Sequence, residues 1–179
     1  PLSTLDLTAL SGLTSINVKY NYQLTSLNVN GLVNLTSLVC DNNMLTVLDV
    51  SSLTNLTGLN CGYNNLTALN VNNLTNLTGF SCKMNHITSL NVNGLPNLSG
   101  IECTDNDLTS LTITNCPALS SLYCGSMSNS STINRLTQLD LSGLPNLTIL
   151  NCDNNLLTTL DFTNCPNIQG VYCRNNTLT

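Results

Sequence analysis

The stretch L56-T-G-L-N-C61-G-Y-N-N-L66-T-A-L-N-V71 decides how this chain folds. Its apolar residues fall in two matching groups, L-x-x-L-x-C and L-x-x-L-x-V, and Asn64 stands between them. The same frame recurs along the chain. Cys40, Cys61, Cys82, Cys103 and Cys124 follow one another every 21 residues; after a gap of 28 come Cys152 and then, 21 later, Cys173. A fixed period in this range is the mark of a stacked-repeat architecture. The frame holds from Leu2 to the end, with one extra residue near Tyr22 and seven extra between Cys124 and Leu136.

Within each half-repeat, L-x-L or L-x-C is the period-2 signature of a short strand buried on one face. The path back is built from Thr, Asn, Ser, Val and Gly, and strong helix formers are nearly absent, so little or no helix is expected. The pattern predicts a mostly β solenoid with two short parallel strands per 21-residue turn. About eight turns at roughly 4.8 Å each make a rod about 40 Å long. One compositional texture runs through all 179 residues, which implies a single domain over 1–179, with an inserted loop at 126–135 that its Ser- and Asn-rich sequence marks as an exposed, mobile, tolerated bulge. The chain opens on Pro1 and stops at Thr179, both inside the repeat, so a piece of something longer is expected.

The segment L35-T-S-L38-V-C40-D-N-N43-M-L45 resembles the leucine-rich repeat pattern L-x-x-L-x-C-x-x-N-x-L. The 21-residue unit with its second L-x-x-L-x-V half looks like the bacterial subclass called IRREKO, and more loosely it is similar to internalin-like surface proteins. The resemblance covers nearly the whole chain. It implies a leucine-rich-repeat solenoid, a secreted or bacterial cell-surface location, and a binding role. Two places depart from the pattern. Val18 fills the first cysteine position, and Met127 stands where an Asn is expected, so Asn134 in N134-R-L136 is expected to take that role.

Composition narrows the function. Hydrophobic residues make up 41%, enough for a core, whereas charged residues are only 7%, against about 25% in ordinary domains. Net charge is −5 and only four residues are Lys or Arg. No basic patch for a nucleic-acid backbone or an anionic lipid surface can form from so few. No apolar run approaches the ~20 residues of a membrane span, so membrane insertion is not expected, and no signal peptide is visible.

The seven cysteines of the column, Cys40, Cys61, Cys82, Cys103, Cys124, Cys152 and Cys173, fill a slot that is apolar by pattern. Cys116 and Cys165 replace a Leu found at Leu53, Leu74 and Leu95. A free Cys behaves as a small hydrophobe, so all nine are expected in the core, buried and reduced. An odd number at ladder spacing argues against a disulfide framework, because stacked side chains point the same way. A straight column cannot converge tetrahedrally on zinc, and nothing basic lies near enough in sequence to activate a thiol. No cofactor is implied. A second column, Asn21, Asn43, Asn64, Asn85, Asn106, Asn134, Asn155 and Asn176, follows each strand at a fixed offset. A side-chain amide both donates and accepts, which suits backbone groups left over where the chain turns inside the coil.

Catalytic chemistry is thinly represented, and no enzymatic activity is expected. The one histidine, His86, reads as a solvent-facing turn residue, and no Gly-rich phosphate loop or metal-spaced His/Cys set appears. Glu102, Asp105 and Asp107 share one turn; they read as a solvated acidic rung, with a weak Ca²⁺ site as the sharper alternative. The N-x-T/S sequons at Asn34, Asn55, Asn65, Asn73, Asn76, Asn97 and Asn146 arise automatically in a repeat made of Asn, Leu and Thr.

Variation between turns is more informative. On the second strand, the outward columns Asn28, Asp49, Asn70, Asn91, Thr112, Asp140, Asp161 and Asn30, Ser51, Asn72, Asn93, Thr114, Ser142, Thr163 are monotonous. Around the L-x-C strand the columns vary and carry Tyr63, Lys83, Met84, Glu102, Asp105, Tyr123, Tyr172 and Arg174. Exposed Tyr, Met and Arg are what interfaces favour, so these eight are the candidate ligand-binding residues. The expected role is a binding or adhesion module whose ligand, protein or glycan, lies on the L-x-C face. A structural spacer and an ice-binding surface built on Thr46, Thr67, Thr88 and Thr109 are the alternatives. Open edges at the two end turns make end-to-end self-association a further expectation.

Overall fold

A computed structural model describes residues 2–127 and 130–179, so Pro1, Ser128 and Asn129 of the inserted loop lie outside the described residues. Each L-x-C segment forms a three-residue strand. These are β2 (Ser15–Asn17), β4 (Ser37–Val39), β5 (Gly58–Asn60), β6 (Gly79–Ser81), β8 (Gly100–Glu102), β10 (Ser121–Tyr123), β11 (Ile149–Asn151) and β12 (Gly170–Tyr172). They stack in sequence order as one eight-stranded parallel sheet. The register is that of the repeat: Leu38 lies beside Leu59, Phe80 beside Ile101, and Tyr123 beside Asn151. No helix forms among the described residues, as the sequence predicts.

The second half of each turn is less regular than expected. It forms strands in four turns: β1 (Thr4–Asp6) pairs with β3 (Ser26–Asn28), and β7 (Ser89–Asn91) pairs with β9 (Ser110–Thr112). Elsewhere the chain follows the same coil without a ladder. The outward Asp or Asn of this segment takes the N–H two residues on, as Asp49 does for Ser51 at 3.0 Å and Asn70 for Asn72 at 3.1 Å. Asp6, Asn28 and Asn91 make the same bond within β1, β3 and β7, so it accompanies the coil whether or not the ladder forms. It also accounts for the monotony of that column, whose residues serve the backbone. The return corner closes through successive three-residue turns, such as Leu53 N–H to Val50 C=O and Leu56 N–H to Leu53 C=O.

The core is the stack of inward columns. Leu38, Leu45, Leu53, Leu56 and their counterparts in the inner turns are buried, each worth roughly 1.5–3 kcal/mol against exposure, whereas those of the end turns, such as Leu10, stay open. All nine cysteines are free thiols, and eight of them are buried. Cys173 corrects the expectation that all seven of the column are sealed: it is half-buried, because no further described turn stacks on it. Burial pushes the Cys61 and Cys103 thiols up to about 12, and Cys40, Cys82 and Cys124 also well above their ordinary value.

The inserted loop corrects a second expectation in part: Met127, Ser131 and Ile133 are exposed, as expected of a bulge, but other residues of it are not. Ser126, Thr132 and Asn134 are buried. Met127 N–H donates to Asp105 Oδ1 at 2.7 Å, Thr132 Oγ1 to the Asp105 carbonyl at 2.8 Å, and Asn134 N–H to Ser126 Oγ at 2.9 Å. The described part of the insertion is therefore fastened to the turn before it.

Candidate binding groove

The asparagine column does what its chemistry suggests. Asn85 Nδ2 donates to the carbonyls of Cys61, Cys82 and Lys83, and its Oδ1 accepts the Leu66 N–H at 2.9 Å. Asn134 takes the same post after the insertion, donating to Cys103, Cys124 and Gly125 and accepting from Leu108. One side chain thus ties two neighbouring turns together at the corner that follows each L-x-C strand.

That corner passes through a left-handed residue. Tyr20, Asn42, Tyr63, Met84, Asp105, Asn154 and Asn175 have φ between 52° and 59°. Their N–H groups reach to the following turn where it is present, as Tyr63 does to Lys83 C=O at 2.8 Å and Met84 to Thr104 C=O at 3.0 Å. The bends form a rim beside the sheet. Between rim and sheet, over turns three to eight, lies a groove of about 730 Å³. Gly125 lies in its lining where a Cβ would come within 2.9 Å of the Asp153 backbone nitrogen, so close stacking there admits only glycine.

The groove brings together five of the eight candidate residues: Tyr63, Lys83, Glu102, Asp105 and Arg174. Lys83 Nζ bonds Glu102 Oε1 at 2.8 Å and lies 5.6 Å from the centre of the Tyr63 ring. The hydrogen bond to Glu102 raises the Lys83 pKa. Asp153 Oδ2 receives Arg174 Nε at 3.0 Å and Nη2 at 2.8 Å, and its Oδ1 receives the Arg174 N–H. This bonding raises the Arg174 pKa. Asp153 is the residue that sequence reasoning passed over; it stands in the column of Lys83 and Arg174, and only its pairing with Arg174 marks it out.

The other candidates go elsewhere. Tyr123 is half-buried in a shallow hollow with Phe80, Ser121 and Glu102. Tyr172 is exposed on the terminal strand, two turns from Tyr123 in register across Asn151, as expected. Met84 is half-buried and outside the groove lining. Asp105 corrects the expectation of an exposed binding residue: it is only 1% exposed, and its Oδ1 and carbonyl hold the insertion. The acidic rung does not converge. Glu102 turns to Lys83, Asp105 to Met127, and Asp107 to His86 at 3.2 Å. Among the described residues no group of three His, Cys, Asp or Glu side chains is placed to hold a metal ion.

A second asparagine ladder escaped the sequence reading. Asn34, Asn55, Asn76, Asn97 and Asn146, noted there only as sequons, each donate Nδ2 to a carbonyl of the preceding turn, and Asn167 does the same. The Thr or Ser two residues on adds a parallel hydroxyl ladder, as in Thr57 to Thr36 C=O and Thr78 to Thr57 C=O.

No family model matches the chain, and no curated protein does. Solved structures do. The functional domain of InlJ from Listeria monocytogenes, which includes a cysteine ladder, is 26% identical, with a TM-score of 0.63 over 99% of this chain and 43% of that one. YopM, a leucine-rich effector protein from Yersinia pestis, is 26% identical, with a TM-score of 0.70 over 97% of this chain and 49% of that one. A leucine-rich-repeat protein of Leptospira interrogans is 25% identical, with a TM-score of 0.61 over 92% of this chain and 50% of its own. The chain thus spans half or less of these proteins. Period, coil and neighbours agree on the architecture, a leucine-rich-repeat solenoid similar to those of bacterial leucine-rich-repeat proteins.

Proposed function

We propose that the chain is a protein-binding module of a secreted or surface bacterial protein, without catalytic activity of its own, and that its partner lies along the groove. The observation that carries this reading is the assembly of Tyr63, Lys83, Glu102 and Arg174, drawn from four different turns, into one groove beside the sheet. Two ion pairs, Lys83–Glu102 and Arg174–Asp153, already hold the polar groups in place. Fixed side chains lose less freedom on binding. The likeness to InlJ and YopM supports both the binding role and the location.

The test begins with partner capture by the purified chain from host-cell surface extracts. Tyr63→Ala, Lys83→Ala and Arg174→Ala are each expected to weaken the captured interaction by about 1–2 kcal/mol. Asn70→Ala and Asn91→Ala, on the monotonous side, serve as controls. A partner lost with the control pair and kept by the groove variants would sink the proposal, as would a partner indifferent to all five.

A further inference from the structure

The first turn departs from the repeat by one residue. Where the second reads Cys40-Asp-Asn-Asn43-Met-Leu45, the first reads Val18-Lys-Tyr-Asn21-Tyr-Gln-Leu24. The cost of this extra residue can be located. In six later pairs of turns the ladder Asn accepts the N–H of the apolar residue one turn back, at 2.9 to 3.1 Å. By that rule Asn43 should accept from Leu24. Leu24 N–H instead donates to Asn21 C=O at 2.6 Å, and Asn43 Oδ1 is left buried with no partner. An unmade hydrogen bond at a buried acceptor destabilises the fold.

Two further costs fall at the same place. Tyr20 has φ +59°, a corner that the second, seventh and eighth turns fill with the better-suited Asn42, Asn154 and Asn175, and a cost that Tyr63 and Met84 of the rim share. Tyr20 and Tyr22 are also 53% and 66% exposed, leaving two aromatic rings in water. What the three costs produce is a tilted tyrosine pair, with ring centres 6.0 Å apart at 46°, and Lys19 Nζ 5.4 Å from the centre of the Tyr20 ring. Strain of this kind persists where function holds it.

We infer that Tyr20 and Tyr22 form a carbohydrate-binding platform on the first turn, separate from the groove. Neither ring lines the groove, which begins at Tyr63. The pair stands outward on a corner instead of lining a recess, whereas the anchors of a protein interface fill desolvated pockets. A pyranose needs no pocket. Its C–H face lies flat on a tyrosine ring, whose face is electron-rich, and its hydroxyls exchange hydrogen bonds with amides and phenols. Exposed Gln23 follows Tyr22 in the chain, Asn42 stands one turn on in the column of Tyr20, and Asn17 accepts the Lys19 N–H. A neutral polysaccharide is the ligand class this set fits, since the charge of Lys19 beside the rings is matched by that of Asp41, one turn on in its column.

The test uses the purified 179-residue chain in affinity gels containing hydroxyethylcellulose, xylan or glycol chitin, and in sedimentation with insoluble cellulose, chitin and peptidoglycan. The chain is expected to be retained by at least one of these, and Tyr20→Asn or Tyr22→Ala to weaken retention about tenfold. Tyr20→Asn is expected to raise the thermal midpoint, because Asn tolerates the left-handed corner. Deleting Gln23 is expected to raise it too, by returning the Leu24 N–H to Asn43, while disturbing the pair and weakening retention. The inference is overturned if none of the probes retains the chain, if the Tyr20→Asn/Tyr22→Ala double variant is retained as well as the parent, or if Tyr20→Asn lowers the midpoint. It is also overturned if Lys83→Ala abolishes retention while the tyrosine variants keep it, since the sugar then uses the groove.

Discussion

A buried asparagine carries as much of this coil as a core leucine does. Asn85 gives hydrogens to three carbonyls and takes one N–H, all in the interior of the corner. Replacing it with Ala strands several buried backbone groups, each costing about 1–3 kcal/mol. Asn85→Ala is therefore expected to lose roughly 3–5 kcal/mol in urea unfolding. Asn76→Ala, on the outer ladder, removes one exposed bond to the Thr54 carbonyl and is expected to lose about 1 kcal/mol or less. Equal losses at the two sites would show that burial does not set the difference. The sequence made the inner ladder readable because its Asn recurs at an otherwise apolar corner. It left the outer ladder hidden, because period alone does not say which carbonyl an exposed side chain meets one turn away. Asn34, Asn55 and Asn76 consequently read as sequons and nothing more.

Among the elements, the insertion shows why composition misleads. Its Ser- and Asn-rich sequence reads as a solvated loop, yet its backbone and hydroxyl groups have partners. Thr132 Oγ1 bonds the Asp105 carbonyl, Asp105 Oδ1 accepts the Met127 N–H, and Arg135 N–H returns to the Leu108 carbonyl at 2.7 Å. Thr132→Val keeps the shape and removes one buried donor, so it is expected to destabilise by about 1–2 kcal/mol in urea unfolding. Cutting the insertion to the regular length keeps the Arg135 bond, which regular turns also make, removes the Met127 and Thr132 contacts with Asp105, and should cost more than Thr132→Val does. Indifference to either change would restore the reading of a tolerated bulge. The strands show the converse. The L-x-C sheet was fully legible, since strict alternation with a buried Leu and Cys admits one register. The second strand forms in four turns and is absent in turns such as that of Asp49, where the alternation is the same and so does not report which turns pair. The groove was legible in part. Turn-to-turn variation picked out Tyr63, Lys83 and Arg174, but Asp105 is engaged by Met127 and Thr132 of the insertion, 22 and 27 residues away, which no period reports.

At the scale of the whole molecule, a column of buried thiols makes the coil sensitive to alkali. Desolvation holds Cys61, Cys103 and Cys152 near 12 in the folded chain, against an ordinary thiol value of 9.0. An unfolded chain releases those protons from about pH 9 upward, and the folded chain keeps them. Above pH 9 the unfolded state therefore binds fewer protons, and stability falls as pH rises toward 12. Below pH 9 both states hold the proton, and the thiols contribute no slope. Each such thiol removes about 1.4 kcal/mol per pH unit within that window, so several together can consume the 5–15 kcal/mol that holds a typical fold. The thermal midpoint is expected to be flat with respect to these groups up to about pH 9 and to fall steeply beyond it. Cys61→Val and Cys103→Val, which copy the Val18 of the first turn, should shallow that fall without lowering the midpoint much at pH 7. Thiol labelling gives an independent check: at neutral pH the half-buried Cys173 should react first and the remaining eight only on unfolding. Rapid labelling of the inner column in the native chain, or an alkaline midpoint unchanged by both valine variants, would show that the column is open to water and that its thiols do not titrate against the fold.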